Sequence, residues 1–118
     1  MLFGINTHAH DYQRAKANLG YEYAECSGYY TYGAIAAKEN GKEDLANQSQ
    51  KNADQALKMA LALQSAEIVQ ANVELAEKSQ GEILKKEGFS RLILKYADNC
   101  KTALEDPDAR IKYWQDKE

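Results

Sequence analysis

Apolar positions recur every three or four residues along most of this chain, the spacing of helices that bury one face. From about Asp11 to Glu39 the repeat runs Tyr12, Leu19, Tyr23, Cys26, Tyr30, Gly33 and Ala37. A second set, Tyr21, Gly28, Tyr29, Tyr32 and Ile35, lies broadly on the opposite side. Two apolar faces predict a helix covered twice, once by its own bundle and once by something else. Gly20, Gly28 and Gly33 fall inside it. Each costs about 1 kcal/mol against alanine in a helix, which close approach of a neighbouring backbone would offset.

Asn40-Gly41 is a stop, because both residues tolerate the left-handed cap conformation. Asp44 is the expected cap of a second helix, from about Leu45 to Ser79. Its inner stripe reads Ala53, Leu57, Ala60, Gln64, Ile68, Ala71 and Leu75, and Met59, Leu63, Ala66, Val69 and Val73 make other sides apolar too. A helix apolar nearly all round is central or sandwiched. No glycine or proline interrupts it, and Gln64-Ser65 is the place for a kink. Gly81 ends the run. A third helix is expected from Glu82 to Glu105, with Phe89, Leu92, Ile93, Tyr96, Cys100, Ala103 and Leu104 on one face; Gly88 and Ser90 offer a later start. Asp106 as cap and Pro107 in the first turn begin a short fourth helix, in which Ile111 and Trp114 close one end of the bundle.

The pattern therefore predicts an all-α, up-down bundle of three long helices plus a short C-terminal one, a single domain over residues 11–118. Residues 1–10 are expected to be a flexible N-terminal segment. Its Leu2, Phe3 and Ile5, followed by Thr7-His8-Ala9, also read as the remnant of a secretory signal. The length of 118 residues suits one domain with its own core. The net charge is −3 without a basic block, which argues against nucleic acid as a partner. No stretch is long and apolar enough to span a membrane.

Cys26 and Cys100 fit no CxxC or CxxCH pattern, which removes zinc ribbons, thioredoxin-type redox and covalent haem. One long-range disulfide or two buried thiols remain. With the first predicted helix ascending, the second descending and the third ascending, Cys26 sits roughly 22 Å and Cys100 roughly 17 Å up the bundle. The two come out nearly level, each on an inner stripe, so a Cys26–Cys100 bond is expected and with it an oxidising compartment.

The segment LFGINTHAHD resembles the start of metal-dependent hydrolases of the TatD and amidohydrolase kind, where a strand-borne HxH binds the metal. The resemblance covers about ten residues. It implies a full (β/α)₈ barrel with further His and Asp ligands, and this chain has two histidines and about half that length. Glu22, Glu25, Glu67, Glu74 and Glu77 lack the Glu-x-x-His pairs of a di-iron bundle. Met59 has no histidine partner for haem, and no triad can be built without a histidine in the core. No enzyme, metal or cofactor is predicted.

The eight tyrosines are left. Packing around the disulfide explains them as core. The functional reading splits them by angle: Tyr21, Tyr29 and Tyr32 as an outward patch for a protein partner or a second copy, in a non-catalytic periplasmic or secreted bundle. Two alternatives are a carrier with a small apolar ligand held near Tyr23, Tyr30 and Met59, and a cytoplasmic adaptor or accessory subunit with free thiols.

Overall fold

The computed structural model describes the backbone of residues 2–117 and the side chains of residues 11–117. The first helix starts at Leu2 and not near Asp11, so residues 2–10, expected as a flexible segment, have helical backbone; the side chains of the His8-Ala9-His10 motif lie outside the described ones. Five helices follow one another: α1 (Leu2–Glu39), α2 (Glu43–Leu63), α3 (Ala66–Glu87), α4 (Phe89–Glu105) and α5 (Pro107–Asp116). Among the described residues there is no strand. At about 1.5 Å per residue, α1 alone accounts for the 59 Å long axis of the molecule.

Asn40-Gly41 ends α1 as the sequence predicts. Gly41 has φ 71°; its N–H donates to the Lys38 carbonyl, and the Lys42 N–H reaches back to the Ala37 carbonyl at 2.9 Å. These two bonds are a Schellman cap, which only a left-handed residue can close without strain. Asp44 is not the cap of α2. Lys42 holds that position without a side-chain bond, and Asp44 joins Glu43 in the first turn, where both favour the positive helix end.

The helix expected over 45–79 is two helices. Gln64 is extended (φ −140°, ψ 163°), and the Ser65 hydroxyl accepts from the Ile68 N–H, which caps α3. The all-round apolarity of that run arises because its halves bury different faces: Ala46, Ala53, Ala56 and Ala60 in α2, Val69, Ala76 and Gln80 in α3. Gly81 does not end α3. It sits mid-helix, where the Tyr32 hydroxyl lies 2.9 Å from the place a Cβ would take. The break comes at Gly88 (φ 85°). Asp106 caps α5 as expected, Oδ1 accepting from the Ala109 N–H at 3.2 Å, with Pro107 in the first turn.

The direction of each helix follows from what it touches. Ser49 lies against Gly33 and Gln64 against Gly20, so α2 descends along α1. α3 ascends, with Gln64 bonded to Asn72 and, further up, Gln80 bonded to the Glu25 carbonyl and set against Gly28. α4 descends, from Phe89 against Gly33 to Ala103, whose carbonyl takes the Tyr23 hydroxyl at 2.6 Å. The chain itself thus covers the second face of α1 at Gly28, Tyr29 and Tyr32, while Tyr21 and Ile35 stay exposed. The core gathers around Tyr23, Cys26, Leu92 and Cys100, each at most 1% exposed.

Cys26 and Cys100 are bonded, with Cα atoms 5.5 Å apart. The pairing is the expected one and the path to it is not: Cys100 rides on a descending helix, not an ascending one. Cys26 lies roughly 20 Å below the top of α1, and Cys100 roughly 17 Å below the top of α4, so the levels match again.

Candidate functional site

The outward tyrosine patch does not form. Tyr29 is buried at 8% exposure and belongs to the core, stacked on Phe89 at 6.1 Å between centroids and tilted against Tyr96 at 6.0 Å. Tyr32 is half-buried under α3 and donates its hydroxyl to the Glu77 carbonyl at 2.9 Å. Tyr21 alone stays exposed, at 36%. The fourth long element, which the unbroken second helix concealed, covers the face that was read as free.

The alternative pocket divides in two. Tyr23 and Met59 share a shallow apolar hollow of about 150 Å³ with Leu19, Leu63 and Pro107, below the size that usually holds a ligand. The Tyr23 phenol is pushed up to about 12, by burial first and the Glu22 charge second. Tyr30 faces elsewhere. With Tyr29 it lines a cleft of about 460 Å³ between α1, α2 and α4, which Asn52, Gln55, Lys101, Leu104 and Glu105 complete. The rings of Tyr29 and Tyr30 stand 5.1 Å apart. The hydroxyls of Tyr23, Tyr32 and Tyr96 each donate within the protein; those of Tyr29 and Tyr30 have no partner among the described residues. Burial raises both phenols, and the neighbouring Tyr29 and Glu105 add to the effect at Tyr30.

A polar cluster beside the disulfide has no counterpart in the sequence reading. Arg110 donates to both carboxylate oxygens of Glu22, at 2.6 and 2.7 Å, and the Trp114 indole N–H adds a third bond at 3.2 Å. Glu22 and Arg110 are both buried, so the pair locks α5 onto α1. Hydrogen bonding to Glu22 raises the Arg110 pKa further. A cleft of about 220 Å³ opens alongside, with the disulfide as its floor and Lys95, Asn99 and Lys117 at its rim. Gln80 is fully buried; its amide donates to the Glu25 carbonyl and its Oε1 has no partner among the described residues.

Large aliphatic side chains lie exposed on both sides of the α2–α3 turn. Leu57, Leu61 and Gln64 are spaced i, i+4, i+7, as are Ile68, Asn72 and Leu75, so each set is one stripe. Gln64 Oε1 accepts from Asn72 Nδ2 at 3.3 Å, which joins the stripes at the turn. Leu57, Leu61, Ile68 and Leu75 are 37, 46, 47 and 58% exposed.

Among the described residues no three His, Cys, Asp or Glu side chains gather as a metal site. No described helix is long and apolar enough to cross a membrane. The chain matches no known family model, no curated protein and no solved structure. Leu57, Ile68 and Leu75 were legible as apolar and were placed inside, because a single straight helix has one inner stripe where two helices have two. Arg110 gave no signal: its partner lies 88 residues away.

Proposed function

We propose that this is a non-catalytic helical bundle of an extracytoplasmic compartment, working through protein contact with self-association as its first form. One observation carries the reading: among the exposed large hydrophobic side chains, Leu57, Leu61, Ile68 and Leu75 stand on two stripes that meet at the α2–α3 turn. Exposed apolar side chains gathered on one part of a surface mark interaction sites. The charges beside it support a second copy as the occupant. Exposed Lys51 and Lys58 border the α2 stripe, and exposed Glu67 and Glu74 border the α3 stripe. Each pair is one heptad apart, so a copy laid with its α2 across α3 sets opposite signs face to face. The Cys26–Cys100 bond supports an oxidising compartment.

Sedimentation equilibrium tests the reading. Wild-type protein is expected to gain mass with concentration; the double variant Leu61→Glu/Leu75→Glu should stay monomeric while melting at the same temperature, since neither residue is in the core. Equal mass at every concentration for both proteins would overturn self-association through this face. Two reactive thiols in native, unreduced protein would overturn the compartment.

A further inference from the structure

We propose that the Cys26–Cys100 bond is a site of exchange with small neutral or cationic thiols, reached when α5 lifts off the bundle. This is independent of the contact face on α2 and α3, which lies on other residues.

In the closed protein the bond is out of reach, with Cys26 0% and Cys100 1% exposed. Both cysteines nevertheless line the cleft of about 220 Å³, and one wall of that cleft is α5, through Arg110, Tyr113, Trp114 and Lys117. α5 has little apolar hold on the molecule. Its buried residue is Arg110, a charged one, and Ile111 and Trp114 are only partly buried, while the buried members of the core belong to α1–α4. What fastens α5 is polar: two Arg110 bonds and the Trp114 N–H converge on one carboxylate, Glu22. Segments with few buried apolar contacts open before the rest of a fold. Asp106, the single residue between α4 and α5, is the hinge. α5 therefore lifts while α1–α4 stay packed, and the wall in front of the bond goes with it.

Charge selects the thiol. In the closed cleft Arg110 neutralises Glu22, and Lys95 and Lys117 stand with Glu25. When α5 lifts, Arg110 and Lys117 leave with it. Glu22 and Glu25 remain on α1, and among the lining residues Lys95 of α4 is the cation left to balance them. A thiol carrying a negative group meets net repulsion there, and a neutral or cationic one does not. The exchange itself takes two steps. A thiolate attacks one sulfur, the bond between the cysteines breaks, and the second cysteine leaves as a thiolate that takes a proton from water. A second thiolate then attacks the mixed disulfide and releases the first cysteine in the same way. The protein gains two electrons and two protons, and the two small thiols depart as their own disulfide.

Whole, oxidised protein treated with cysteamine or with mercaptoethanesulfonate, at equal thiolate concentration, tests this; the cysteines released are counted by alkylation and mass. Cysteamine should reduce the bond faster, and the gap should narrow at high salt. Arg110→Met should quicken reduction at least about tenfold, because bonds to a charged group are lost. Val69→Ala, a core change away from α5, should lower the melting temperature and leave the rate near wild type, since it does not touch the segment that opens. Deuterium exchange of the wild-type protein checks the gate without any variant: the α5 amides should open more readily than those flanking Cys26 and Cys100. Mercaptoethanesulfonate as fast as cysteamine, a rate that follows melting temperature in every variant, or α5 amides as protected as those of α4 would each overturn the proposal.

Discussion

Glu25 follows the Glu22–Arg110 lock by one turn and precedes the disulfide by one residue. Burial, and then the Glu22 charge, raise its carboxyl above the ordinary value, while Lys95 and the Tyr96 hydroxyl pull the other way. The sign follows directly. A carboxyl raised by folding is held more tightly by its proton in the folded state, so ionising it destabilises the fold as pH rises from the ordinary carboxylate value through the raised one. Glu25→Gln should therefore be more stable than wild type at pH 7, and the advantage should vanish near pH 3, where both side chains are neutral. Urea midpoints at the two pH values check this; an equal advantage at both would refute it. At this scale the sequence was least informative. Tyr29 and Tyr30 follow Cys26 by three and four residues, and helical spacing admits both as inward. Only the place of α4 decides that Tyr29 is the more buried.

At the scale of elements, the ends of α1 and α5 were readable because each carries its own chemistry: a left-handed glycine after α1, an aspartate cap and proline before α5. The α2–α3 break was readable only as a kink at Gln64-Ser65 and not as a reversal, because Ser65 and an extended Gln64 are ordinary residues until a neighbour asks for the turn. That neighbour is α1, whose Gly20 receives the Gln64 side chain within 2.5 Å of where a Cβ would be. Gly28 receives Gln80 and Gly33 receives Ser49 in the same way, so the glycines of α1 are notches for polar side chains of other helices. The disulfide then ties α1 to α4, two helices that share fewer close neighbours than α1 and α2. With 74 residues between the cysteines, its loss from the Cys26→Ala/Cys100→Ala protein should cost about 4 kcal/mol. Guanidinium unfolding should show the loss while helical circular dichroism at zero denaturant is retained. A loss below about 1 kcal/mol would mean that packing alone holds α4 in place.

For the molecule as a whole, the all-α class was legible from the apolar period, and the cysteine pairing survived a wrong path because Cys100 lies about as far into the descending α4 as Cys26 lies below the end of α1. What an unbroken helix hid was the surface. Splitting 45–79 turns one inner stripe into two and leaves Leu57, Leu61, Ile68 and Leu75 outside. If a second copy covers them with twofold symmetry, every contact occurs twice with roles exchanged. Lys58 of one copy would then face Glu74 of the other, and the reverse pair would complete it. Lys58→Glu alone places like charges together at two points, and so does Glu74→Lys; each should lower the association constant, most at low ionic strength, where exposed charges are least screened. The doubly reversed protein restores both pairs and should associate like wild type. A foreign partner would not be restored by that exchange, because its own charges stay fixed. Sedimentation of the four proteins at low and high salt therefore separates the two cases: recovery in the double reversal marks a second copy, and continued loss marks a different protein on the same face.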